Sequence, residues 1–155
     1  MLSAAGCSPP AVGGLLRGLW GVIPPAGSCH LRVTPVGESL PDPRCTPGVA
    51  VEAVTQQNLH ATVCGKGGYT RTVRPPRAVT DAAKKNLLAA YNISRSRTHE
   101  YELDHLLDLS AGGSTAVQHL FPQTNTLKTA TGSAYVHNDK DQVRRTPSTL
   151  CARER

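Results

Sequence analysis

The stretch that most restricts how this chain can fold begins at Tyr101-Glu102-Leu103-Asp104-His105. It runs through Leu106-Leu107-Asp108-Leu109 into Ser110-Ala111-Gly112-Gly113-Ser114, and His119-Leu120-Phe121-Pro122 follows shortly after. Around Asp104 and His105 the sequence alternates in the manner of a half-buried strand entering a loop. Gly112 and Gly113 then force a turn, because glycine takes positive φ without a Cβ clash. Leu120-Phe121 suits a returning strand. The expected product is a hairpin whose outgoing strand ends in an adjacent carboxylate and imidazole. A carboxylate can hold a cation, and an imidazole beside it can take a proton from water.

Further words stand upstream in a fixed order. They are Cys45-Thr46-Pro47-Gly48, Val54-Thr55-Gln56-Gln57-Asn58, Val63-Cys64, and Gly68-Tyr69-Thr70-Arg71-Thr72-Val73-Arg74-Pro75-Pro76. Together with the hairpin they resemble the HNH endonucleases, nucleases with a ββα-metal (His-Me) finger, and in particular small HNH-like proteins of actinobacteria and their phages. The resemblance spans residues 42–143. It implies an α+β fold with a small ββα-metal domain, preceded by short helices and a strand. It also implies metal-dependent hydrolysis of nucleic-acid phosphodiester bonds, with DNA as the first candidate partner and RNA as the alternative. Asp104 would be the metal ligand, since a hard oxygen donor suits Mg²⁺ or Mn²⁺; Zn²⁺ or Ni²⁺ are the alternatives. His105 would be the general base, its ordinary pKa of about 6.5 letting it accept a proton at neutral pH. Neighbouring strand side chains face opposite ways, so the two share a site only if the strand distorts. The competing reading is an inactive HNH-like remnant, at most a nucleic-acid-binding module.

The chain departs from the family pattern in three places. His119 stands where the family usually has an Asn that bonds backbone in the loop. Structural replacement of that Asn is favoured over a role as a nitrogen metal ligand, which would shift preference toward Zn²⁺, Ni²⁺ or Mn²⁺. The family's third element is a helix with an acidic residue and, one turn later, a His. Here those positions hold Arg144 and Ser148, and Pro147 breaks a helix interior. His137, Asn138 and Asp141 remain as substitutes at no defensible spacing. Finally, the tail 144–155 carries a net +3 of the formal +6, so basic composition is weak evidence for a polyanionic partner.

The rest of the chain reads more plainly. Residues 1–41 are rich in Pro and Gly and are expected to form a disordered leader. Residues 15–23 are apolar but too short to span a bilayer, and Arg17 interrupts any signal-peptide core. Cytoplasmic and exported locations in a bacterium both stay open. No cysteine falls in a Cys-x-x-Cys pair, so a structural zinc site is not expected. Cys45 and Cys64 either pair in an exported protein or remain buried thiols. Thr55 is expected to cap a short helix over 56–63, and Tyr69 to Arg74 to form a strand with Arg71 and Arg74 on opposite faces. Thr80 is the expected cap of a helix that buries Ala83, Leu87, Ala90 and Tyr91, turns Lys84 and Lys85 outward and ends at Asn92. The basic loop Ser94-Arg95-Ser96-Arg97-Thr98 leads into the hairpin, and Arg95 and Arg97 are its candidate phosphate contacts. Aromatic residues make up only 4%, so the core must come mostly from Leu, Val and Ala.

Residues 144–155 have the character of a shifted reading frame. Arg145 to Cys151 can be encoded so that, with a G in front and a shift of one base, the same bases read Glu, Asn, Ala, Leu, His, Ala, Leu. That is the acidic residue and the His one turn later that the resemblance leads one to expect. Sequencing the gene past the Val143 codon should therefore reveal an amphipathic helix in an alternative frame; its absence from both would refute the idea.

Overall fold

The computed structural model describes residues 21–49, 51, 53–65, 69–125, 138 and 140. These residues form a mixed α+β arrangement with two small antiparallel sheets. Strands β1 (Arg32–Val33) and β2 (Ser39–Leu40) make the first. Helices α1 (Tyr69–Val73) and α2 (Arg77–Ala90) follow, and strands β3 (Tyr101–His105) and β4 (Leu120–Thr124) make the second. In the second sheet Leu103 pairs with Pro122, Asp104 with Phe121 and His105 with Leu120, so the expected hairpin is present. No helix of the described residues is long and apolar enough to cross a membrane.

Helix α2 organises the packing because its apolar residues recur at helical spacing. Ala83, Leu87, Leu88 and Ala90 are buried. Ala83 and Leu87 meet Val117 and Leu120, with Ile23, Val79 and Leu103 closing the cluster. One turn further on, Ala90 and Tyr91 meet Cys29, Cys45 and Phe121. The helix ends as its sequence suggests. Asn92 takes a positive φ of 54°, its N–H donates to Ala89 O, and Ile93 N–H donates to Leu88 O at 2.8 Å. This pattern satisfies carbonyls that the last turn would leave bare. Its start differs from expectation. The helix begins at Arg77, with Pro76 at the cap position, and Thr80 lies inside the first turn donating to Arg77 O at 2.9 Å. Proline has no N–H to lose there and its φ already suits helix entry.

Two other expectations are corrected. Tyr69 to Val73 is a short helix, not a strand. No neighbouring strand offers this segment a ladder among the described residues, and Thr72 Oγ1 closes a local bond to Tyr69 O at 2.7 Å. Propensity yields to context in this way because strand preference needs a partner edge. The helix expected over 56–63 is a single 3₁₀ turn, Gln56–Asn58, after Thr55, continuing as irregular turns.

The leader expectation fails for residues 21–41. Gly27 N–H and Cys29 N–H donate to Ala89 O and Ala90 O at the end of α2, both at 2.9 Å. Ser39 Oγ lies 2.8 Å from Thr124 Oγ1, tying β2 to β4. Cys29 is fully buried and forms a disulfide with Cys45, with the Cα atoms 6.0 Å apart. Cys45 therefore does not pair with Cys64, which is itself disulfide-bonded. Pro and Gly content argued for disorder, but one buried disulfide and the bare carbonyls of α2 supply anchors that composition does not register. Residues 1–20 lie outside the described residues.

The Cys29–Cys45 bridge closes a loop with a sequence separation of 16. On chain-entropy grounds such a loop is worth about 3 kcal/mol. Cys29→Ser with Cys45→Ser should lower unfolding stability by about that amount in urea melts. An unchanged midpoint would show that segment 21–49 is held by its other contacts alone.

Candidate active site

The loop between β3 and β4 is shaped by its own sequence. Asp108 Oδ1 accepts from Ser110 N–H at 2.7 Å and starts a 3₁₀ turn over Leu109–Ala111. Gly112 ends that turn with φ 87°. A Cβ on Gly113 would lie 1.8 Å from Leu107 O, so only glycine fits the close backbone approach there. Gly112 thus takes the positive φ expected of it, whereas Gly113 is required by close approach and not by φ.

His119 holds this loop from inside. It is buried, and its Nδ1 accepts from Val49 N–H at 3.1 Å. Its Nε2 lies 3.1 Å from Leu107 O and 3.0 Å from Leu107 N. A neutral ring carries one proton, so it cannot accept from both Val49 N–H and Leu107 N–H, and the tautomer sets which nitrogen donates. Burial pushes its pKa down, with Lys140 adding to the effect and the Leu107 bond opposing it. The ring bonds loop backbone. Both ring nitrogens are occupied by backbone partners.

The segment Cys45 to Val49 completes the frame. Thr46 Oγ1 donates to Leu120 O at 2.9 Å and lies 3.0 Å from the Tyr91 hydroxyl. Gly48 N–H donates to Gln118 O at 3.1 Å. This chain word therefore pins the start of β4 and the end of the loop to α2. Sequence reading singled out Cys45-Thr46-Pro47-Gly48 only as part of a resemblance; nothing in its composition signals that Thr46 is buried.

Strand β3 divides the two principal candidates. Leu103 packs toward α2, and His105, two residues on, lies on the same face by strand alternation. Glu102 and Asp104 take the other face. There Asn138 Nδ2 donates to Glu102 Oε1, and Lys140 Nζ forms an ion pair with Asp104 Oδ2. Asp104 Oδ1 accepts from His105 N–H at 2.7 Å. β3 keeps its ladder through His105, so Asp104 and His105 are joined through backbone and do not converge side by side.

His105 opens onto a cleft of about 200 Å³ lined by Arg74, Pro75, Thr80, Asp81, Lys84, Glu102, Leu103 and Leu120. Burial pushes its pKa down to about 4; His119, Arg74 and Lys140 press the same way, while Asp108 opposes them. It is neutral at pH 7, the state in which imidazole can accept a proton. Arg74 and Lys84 bring positive charge to this cleft and Asp81 and Glu102 negative charge, Glu102 reaching its rim from the strand's edge. Asp81 is bridged to Arg77 at 3.6 Å. Arg74 and Lys84 were read in the sequence as a rim or solvated charge and a solvated helix face, because nothing local links them to His105.

The basic loop is placed elsewhere. Arg97 Nε donates to Glu100 Oε2 at 2.9 Å, and its guanidinium carbon is 5.7 Å from the Tyr101 ring centroid. Arg95 is exposed on the same 3₁₀ segment. Neither residue lines the His105 cleft.

A divalent cation at Asp104 does not fit the donors present. One carboxylate oxygen is taken by a backbone N–H and the other by an ammonium. Among the described residues no three His, Cys, Asp or Glu side chains converge. His137, Asp141, Arg144 and Ser148 lie outside the described residues. No protein-family model, curated protein or solved structure matches this chain.

The lowered pKa of His105 has a thermodynamic signature. Above about pH 6.5 the ring is neutral in the folded and the unfolded chain alike. From there down to about pH 4 the unfolded chain takes up a proton that the folded chain refuses, so stability falls as pH falls through that window. The loss should be on the order of 2 kcal/mol, after discounting for partial exposure of the ring. Urea melts at pH 7 and pH 4.5 should show a smaller loss in His105→Asn than in the parent chain. Equal losses would assign the effect to other groups.

Proposed function

We propose that this chain is an HNH-type endonuclease domain acting on nucleic-acid phosphodiester bonds, with DNA as the first candidate substrate and RNA as the alternative. One observation carries the reading: the β3–β4 hairpin presents a neutral His105 at the end of β3 to a cleft that also holds Arg74 and Lys84. His105 takes a proton from water as the water oxygen attacks phosphorus, the bond from phosphorus to the leaving sugar oxygen breaks, and that oxygen takes up a proton from solvent. Arg74 and Lys84 offset the charge on the phosphoryl oxygens. Imidazole with so low a pKa is a weak acceptor, and a bound phosphate anion would raise it again. The role of His119 is positional, since it bonds the backbone of the loop that follows His105.

A second reading is favoured by a specific observation. Asp104, the expected metal ligand, is paired with Lys140. A chain closed to metal in this way suits an inactive HNH-like remnant that at most binds nucleic acid. The bridged state of Cys29, Cys45 and Cys64 favours export over a reducing cytoplasm.

A plasmid-nicking assay with Mg²⁺, Mn²⁺, Ni²⁺ and Zn²⁺ tested separately, and with chelator alone, decides between the two. Cleavage is expected to fall about 10²–10⁴-fold in His105→Ala, with the fold retained by circular dichroism. Undiminished cleavage in that variant would move the base elsewhere, and no cleavage by the parent chain in any condition would leave the remnant reading standing.

A further inference from the structure

The expected metal ligand already has a cation, and that cation is part of the chain. Lys140 is 36 residues from Asp104 in sequence, yet its ammonium meets the Asp104 carboxylate. The same Nζ donates to His105 O at 2.5 Å and lies 6.0 Å from the Phe121 ring centroid. A carboxylate oxygen, a carbonyl oxygen and an aromatic ring thus gather around one nitrogen. All three attract a positive charge. The partners come from adjacent residues of β3 and from the residue of β4 paired with Asp104, so the hairpin itself builds the pocket. The side chains of Asp104 and Lys140 are 15% and 31% exposed, so the pair is shielded from water on most sides.

We propose that Lys140 is a built-in occupant of the cation position at Asp104, and that it closes this carboxylate to Mg²⁺ and Mn²⁺ in the chain as it stands. The inference rests on the HNH-type reading only in taking Asp104 as the carboxylate that a metal would use. An arriving divalent ion must part Asp104 from an ammonium tethered beside it, whose local concentration does not dilute. It must then sit next to that same ammonium, since His105 O and Phe121 still hold it close. Like charges at such separations repel strongly where water is partly excluded. Any cleavage that the parent chain performs therefore proceeds without a metal at Asp104.

The test reads metal directly and needs no cleavage. Mn²⁺ is titrated by electron paramagnetic resonance into the full chain, Asp104→Asn, Lys140→Gln, Lys140→Arg and the double variant Lys140→Gln/Asp104→Asn. The parent chain and Asp104→Asn should bind Mn²⁺ equally weakly. Lys140→Gln should gain at least about tenfold in affinity, and the double variant should lose that gain. Lys140→Arg keeps the cation and should stay closed. Binding by the parent chain that Asp104→Asn weakens would overturn the proposal even if the Lys140 variants failed to fold. A folded Lys140→Gln chain with no gain would overturn it as well. Plasmid nicking is scored separately, so a failure of the nuclease reading leaves this outcome independent.

Discussion

The His119 imidazole is the contact on which the rest of the site depends. It receives Val49 N–H on one nitrogen and meets Leu107 on the other. Val49 belongs to the segment that the Cys29–Cys45 bridge fastens, and Leu107 lies two residues beyond His105. One buried ring therefore joins three parts of the chain distant in sequence. Backbone polar groups buried in a loop must find partners or cost free energy. His119 meets that need because its two nitrogens can act as acceptor and donor at opposite ends of a rigid ring.

The core explains how so small a hairpin stays in place. Two short strands alone are marginal in water. Here α2 covers one face of β3–β4 through Leu87 and Leu120, while Tyr91 and Phe121 extend the contact to the disulfide. Large aromatics are few, so small residues at the contact, Ala83 and Ala90, let α2 approach closely. The Tyr91 hydroxyl is not left without partners at this depth. Asp42 N–H donates to it at 3.2 Å, and Thr46 Oγ1 lies beside it. Burial raises its pKa, so it remains a neutral hydroxyl at any ordinary pH.

Charge at the site is arranged on two faces of one strand. His105 shares its cleft with Arg74 and Lys84, and Asp104 takes Lys140 on the opposite face. Arg74, Lys84 and Lys140 thus stand near two adjacent residues, with Asp81 and Glu102 in the same cleft as the first two. This concentration is not visible in the net charge, since half of the formal +6 lies in residues 144–155. Arg74 follows the end of α1, Lys84 lies on α2, and Lys140 reaches the hairpin from far along the chain. Two arginines away from the cleft are committed to neighbours, Arg97 to Glu100 and Arg44 to Asp42.

Sequence by itself determined the local elements whose causes are local. The alternation around Asp104 and His105, the positive φ of Gly112 and the close approach at Gly113 specify the hairpin and its loop. Spacing of Ala83, Leu87, Ala90 and Tyr91 specifies the buried face of α2, and Asn92 its end. Tertiary structure decided everything that joins residues far apart. It chose Cys29 over Cys64 as the partner of Cys45, because residues 27–29 follow the end of α2 and bring Cys29 within reach. It made a helix of Tyr69–Val73, because no strand lies beside that segment to complete a ladder among the described residues. It placed Lys140 on Asp104 and Arg74 near His105, partners that no spacing rule connects. Helical and strand periods report which face a side chain takes on its own element; what waits opposite that face is set only when the elements pack.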